Sequence, residues 1–190
     1  MRDALIIPTY GFITHENTPG GRGTKARIAK AAELIREGIV ARNCLVDFPQ
    51  GEYARGRDSM LLGVVILGKN VADYVRTLPE FSEADVTFPF TGYGSRGTFD
   101  DTIASLNGVY PDVDDEDKVR HIHFVSDWSQ LGRLWLIWHI AWKHHVKKLG
   151  WKASFHLVPN FRTLRDVWLH EPPAYLKCLW NCFRWRFFAV

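Results

Sequence analysis

A chain of 190 residues is the size of one domain and can bury a substantial core; 46% apolar and 14% aromatic residues exclude a disordered chain. A net charge of +3, with basic residues scattered along the chain, is too mild to imply a nucleic-acid partner, and none is expected. Three cysteines, Cys44, Cys178 and Cys182, are an odd number with no paired zinc spacing; they read as reduced, packed thiols in a reducing compartment, and no metal site is assigned.

Ala4 to Ile7 is the first predicted strand. It is too short for a signal peptide or an anchor and passes directly into Pro8. A loop rich in glycine, proline, threonine and asparagine follows, from Pro8 to Gly23. Thr24 to Glu37 is a helix, with Ile28, Ala31, Ala32 and Ile35 at helical spacing and Gly38 as its stop. Cys44 to Phe48 is a second strand, and Asp58 to Leu78 a helix that Gly63 and Gly68 weaken.

Asp85 to Phe88 is the third strand, followed by the glycine-rich loop Thr91 to Gly97. Thr98 to Leu106 is a short helix, capped by Thr98 and carrying Asp100 and Asp101 in its first turn. The acidic run Asp112 to Asp117 reads as a solvated loop, with a weak cation site as the alternative. His121 to Val125 is the fourth strand, Trp128 to Leu149 a long helix, and Ala153 to Val158 the fifth strand. From Phe161 onward the chain is helical with a break at Pro172-Pro173. The most apolar stretch, Leu131 to Val146, is interrupted by charged and histidine residues and is shorter than the about 20 residues a membrane span needs. No transmembrane segment and a cytoplasmic location are therefore expected.

Short apolar runs alternating with longer helical ones predict βαβ units. The expected fold is a single Rossmann-like three-layer α/β domain over 1–190, with a mostly parallel five-stranded sheet flanked by helices. The helical segment 161–190 would pack on it. In such a sheet the loops at the strand C-termini converge on one crevice, where helix N-termini offer free N–H groups. Here those loops would bring together Thr9, Tyr10, His15 and Arg22 from the first, and Arg55 and Arg57 from the second. Ser95, Arg96, Thr98, Asp100 and Asp101 would come from the third, and Ser126, Asp127, Gln130 and Arg133 from the fourth. Arginines beside glycine-rich turns favour a small anionic ligand, because a guanidinium matches phosphate or carboxylate bidentately.

Several of these residues admit a second role. Arg133 either holds a ligand or pairs with Asp100 or Asp101. Gly20-Gly21-Arg22-Gly23 lacks the Lys-Ser/Thr of a P-loop, and Gly92-x-Gly94-x-x-Gly97 follows the wrong strand for a dinucleotide fingerprint. His121 and His123 alternate on one strand face, as a metal pair would, but a sheet edge or a covering helix accounts for them. His139 shares a face with Trp135 and Trp142 and reads as packed; His15 is the one histidine assigned to catalysis. The Trp-rich helix and the tail Leu179 to Phe188 read as core or a homodimer interface. Trp180, Phe183, Trp185, Phe187 and Phe188 beside Arg184 and Arg186 would otherwise suit a bilayer surface.

Three stretches resemble the YdcF-like family of bacterial proteins. Gly20 to Leu34 is similar to the family's loop-to-helix passage, with Arg27 at its arginine. Ser95 to Asp101 resembles a Ser-x-Asn-Thr-x-Glu-Asn signature, with Gly97, Asp100 and Asp101 as departures. Val125 to Arg133 resembles Val-Thr-Ser-x-x-His-x-x-Arg, with Gln130 at the histidine, and Leu169 to Ala174 is a fainter echo of an Arg-Glu before the last helix. The Ser-Gly-Gly turn after the second strand is replaced by Asp47 to Gly51. The resemblance implies a Rossmann-like domain taking a small anionic or nucleotide-type ligand, S-adenosylmethionine among the candidates. Arg27, Arg133 and Ser126 would hold the anion. If the protein is an enzyme, a hydrolase or transferase acting at phosphate, Asp100 or Asp101 would be its base or cation ligand. With the histidine and glutamate gone, a non-catalytic binding protein is the alternative.

Overall fold

The computed structural model describes residues 2–8, 19–49, 71–87, 98–109, 119–142 and 150–188. Five strands form one sheet: β1 (Arg2–Ile6), β2 (Leu45–Asp47), β3 (Asp85–Thr87), β4 (Val119–Asp127) and β5 (Lys152–Val158). Their order is β3-β2-β1-β4-β5, and every neighbouring pair is parallel. The sheet is thus wholly parallel rather than mostly so, with helices on both faces.

The central strand shows why. Ala4, Leu5 and Ile6 of β1 are all fully buried, which a strand covered on both faces requires. On one face Leu5, Val46 and Val125 pack under helix α1 (Pro19–Arg36), through Ile28, Ala31, Ala32 and Ile35, together with Val71, Val75 and Phe81. On the other face Ala4, Ile6, Ile122 and Phe124 meet α2 (Thr98–Val109), α3 (Trp128–Leu136) and α4 (Leu164–Phe188). Helix α1 ends in a Schellman turn: Ile39 N–H donates to Leu34 O, Gly38 N–H to Ile35 O, and Gly38 takes the left-handed φ of 71° that this turn demands.

Several boundaries differ from the sequence pattern. Helix α1 starts at Pro19, inside the segment expected as loop; proline is well suited to a first helical position. Strand β4 runs on through Ser126 and Asp127, which pair with Leu157 and Val158. Thr98 is the first helical residue of α2, so the capping position falls on residue 97, outside the described residues. The long helix winds as α only to Leu136; Ile137–Trp142 is a π-helix that carries Ile137, Trp138, Ala141 and Trp142 into the core. His139 Nδ1 donates to the Trp135 carbonyl one turn back.

The expected break at Pro172-Pro173 does not occur. Helix α4 continues through both prolines, which are solvent-exposed. Contacts on each side hold it: Glu171 is buried against Arg133 and Arg162, while Cys178 and Cys182 lie in the core. Tyr175, between them, lies directly on Gly132 of α3, where an added Cβ would collide with the hydroxyl and fall 2.8 Å from Cζ. Replacing Gly132 by alanine must therefore displace Tyr175, and an overpacked contact costs about 1–3 kcal/mol. Urea denaturation of Gly132→Ala should show that loss, and Gly132→Ala/Tyr175→Ala should recover part of it.

Candidate functional site

The sheet order reverses between β1 and β4, and ligands of doubly wound sheets bind in the crevice outside the strand C-termini at such a switch point. Behind that crevice lies a buried ion pair. Arg27 is fully buried; its Nη2 donates to Asp127 Oδ2 at 2.5 Å, and its Nη1 to the Pro8 carbonyl that leaves β1. Asp127 ends β4 and caps α3, accepting from the N–H groups of Ser129 and Gln130 and from the Ser129 hydroxyl at 2.5 Å. Burial pushes its carboxyl upward, but the Arg27 guanidinium and these hydrogen bonds outweigh that and hold it below the ordinary carboxylate value.

Ser126 and Gln130 belong to the same joint. The Ser126 hydroxyl donates to Gln130 Oε1 at 2.9 Å, and both side chains are buried. Arg133, one turn on, pairs with Glu171 at 3.3 Å, and Glu171 also takes Arg162 at 2.6 Å. Its partner is thus on α4, not Asp100 or Asp101. The faint Arg-Glu echo in the sequence marks that glutamate.

The second polar centre was not assigned from sequence. Asp47 ends β2, beside β1, and is buried on the α2 side of the sheet. Thr87 of β3 donates to its Oδ1 at 3.0 Å. The Ser105 hydroxyl of α2 stands beside the carboxylate without hydrogen-bonding geometry, and Oδ2 has no partner. Burial raises its pKa to about 6, against the lowering effect of Ser105 and Thr87. The available signal was positional: an acid closing an apolar strand, about two dozen residues past a glycine-rich turn.

Charge distinguishes the helix N-termini. The positive end of α3 is taken by Asp127, and α2 carries Asp100 and Asp101, both half-buried, in its first turn. The first turn of α1 has no acidic residue and carries Arg22, whose guanidinium lies over the Phe161 ring at 5.4 Å. Thr9, Tyr10, His15, Arg55, Arg57, Ser95 and Arg96 fall outside the described residues.

The structure narrows two open readings elsewhere in the molecule. The aromatic tail is not core: Trp180, Phe183, Phe187 and Phe188 are exposed, and only Trp185 turns inward, edge-on to Phe99 at 6.2 Å. Of the two placements expected for His121 and His123, the covering helix is the one found: β4 lies between β1 and β5, and the pair sits on the α1 face with His123 fully buried. All three cysteines are buried and free. Among the described residues no helix is long and apolar enough to cross a membrane.

No family model, curated protein or solved structure matches this chain.

The raised Asp47 carboxyl makes stability depend on pH with a definite sign. Between about pH 4 and 6 the folded state holds a proton that the unfolded state has lost, so stability falls as pH rises through that window. A rise of that size is equivalent to about 3 kcal/mol. Asp47→Asn, which cannot ionise, should be more stable than wild type at pH 7.5 and no more stable at pH 3.5. Paired thermal melts at the two pH values check this.

Proposed function

We propose that the protein is a Rossmann-like binding domain of YdcF-like character that takes a small nucleotide-type anion in the crevice between β1 and β4. The observation that carries this reading is the unpartnered Asp47 Oδ2 at the end of β2. In folds of this winding, an acid after the second strand accepts from a ribose hydroxyl, while the ligand's anionic group sits on the N-terminus of the first helix. Helix α1 supplies that terminus, without a competing carboxylate in its first turn and with Arg22 beside it. A buried acceptor that makes no hydrogen bond is uncommon in a folded protein, and a sugar hydroxyl entering beside Ser105 would satisfy it.

S-adenosylmethionine fits the same two features, through its ribose and its carboxylate, and stays among the candidates beside phosphate-containing nucleotides. Arg27 then acts by positioning: its guanidinium is engaged by Asp127 and Pro8 and fixes where β1, α1 and α3 converge. If the bound compound is turned over, by hydrolysis or transfer at phosphate, Asp47 is the carboxyl poised to move a proton near neutrality. Asp100 and Asp101 lie at the head of α2, on that side of the sheet.

A thermal-shift series with adenosine monophosphate, adenosine diphosphate, S-adenosylmethionine and inorganic phosphate tests this. Saturation at about a hundred times Kd adds about 2.7 kcal/mol, a rise of a few degrees for a chain of this size. An adenine-bearing compound should produce that rise in the wild type, with most of it lost in Asp47→Asn and in Arg22→Ala. No shift with any of them, or an undiminished shift in both variants, contradicts the proposal.

A further inference from the structure

At the opposite end of the strands, under α1, a second polar cluster stands apart from the crevice. Residues two apart on a strand project from the same face. His121 and His123 of β4 do so, and the register of β1 sets Asp3 directly beside His121. The two imidazole rings lie 4.0 Å apart, and one donor atom from each of Asp3, His121 and His123 falls within 4.8 Å of the other two. His123 is fully buried, yet its Nε2 has no hydrogen-bond partner. An orphaned ring nitrogen on a member of a His-His-Asp cluster calls for an explanation.

Neighbouring side chains already orient the rings. His156 of β5 brings its Nε2 to 2.9 Å from His123 Nδ1 and stacks on that ring at 5.2 Å. Ser154 Oγ lies 2.7 Å from His121 Nε2, and Asp3 Oδ2 accepts the Ala41 N–H at 3.0 Å. Such outer partners fix the tautomer and the ring plane of a ligating histidine.

We propose that Asp3, His121 and His123 bind one divalent transition metal of the zinc class, with His156 as the outer partner of His123. Two imidazoles and a carboxylate suit Zn²⁺ or Co²⁺ better than Mg²⁺ or Ca²⁺, which prefer all-oxygen sets. Three protein ligands leave a fourth position for water or an exogenous donor. Coordination through His123 Nε2 requires the ring proton on Nδ1, and His156 Nε2 is placed to accept it. Lys30 of α1 and Lys152 of β5 are the cations whose charge reaches the cluster, and Asp3 opposes them.

The experiment is a titration of untagged, chelator-stripped protein with Co²⁺, followed by visible absorption, and with Zn²⁺, followed by calorimetry and thermal melting. One equivalent should bind, with the ligand-field bands of a low-coordinate cobalt site and a raised melting temperature. Asp3→Asn and His121→Ala should each weaken binding at least tenfold, and His156→Gln by about tenfold, the scale of outer-partner losses. Asp3 is only half-buried, so Asp3→Asn serves as the deciding variant if His121→Ala does not fold. Failure of the folded wild type to bind either ion overturns the proposal. So does binding that is unchanged in Asp3→Asn.

Discussion

The Arg27–Asp127 pair, together with the Pro8 carbonyl, ties three parts of the chain to one point. Arg27 comes from the third turn of α1, Asp127 from the junction of β4 and α3 a hundred residues later, and Pro8 from the exit of β1. A guanidinium with no solvent contact is tolerable only where its charge is compensated. Asp127 meets the charge and at the same time caps α3, so one carboxylate sets both the depth of α1 over the sheet and the start of the next helix. Once that joint is made, Ser126 and Gln130 close on each other beside it. The relative positions of the strand ends around the crevice follow from the same contact.

The two ends of the sheet differ in their electrostatics. At the C-terminal ends, Asp127 is compensated and Asp47 is not, although the two acids close strands that flank β1 on either side. The difference lies in the partners: a cation and a helix terminus for one, the neutral hydroxyls of Thr87 and nearby Ser105 for the other. A carboxylate left in that state costs stability, and sites that bind or react are where such costs are commonly found. At the N-terminal ends the buried groups are imidazoles, whose neutral form costs far less to bury than a charge would. A cluster of them beneath α1 is therefore compatible with a stable fold whether or not an ion is bound.

Much of the architecture was legible because the parallel sheet writes itself as short, fully apolar runs such as Ala4 to Ile7. Between them, helices show their buried faces at Ile28, Ala31, Ala32 and Ile35. What stayed hidden has physical causes. Prolines 172 and 173 forecast a break, but tertiary contacts at Glu171, Tyr175 and Cys178 hold the helix across the missing N–H groups. The Trp-rich helix has α periodicity, and the switch to π winding at Ile137 leaves no mark in that pattern. Asp47 reads as an ordinary strand-end acid, because nothing in sequence tells which carboxylate lacks a donor. Arg133 and Glu171 are 38 positions apart and are matched only by the way α4 lies on α3. The aromatic tail escapes sequence reading for a related reason: helix α4 is apolar around most of its circumference, so periodicity does not say which side is covered.

The claim that the Arg27–Asp127 pair organises the crevice is tested most directly by a double-mutant cycle of Arg27→Met and Asp127→Asn, read by urea denaturation. Asparagine keeps the cap on α3, so the cycle isolates the ion pair from the capping role. Each single variant leaves a buried charge without its partner and should cost about 3–5 kcal/mol. The double variant should cost less than the sum by about 2 kcal/mol or more. Losses that add to within about 0.5 kcal/mol would contradict the account, because they would show two residues acting independently.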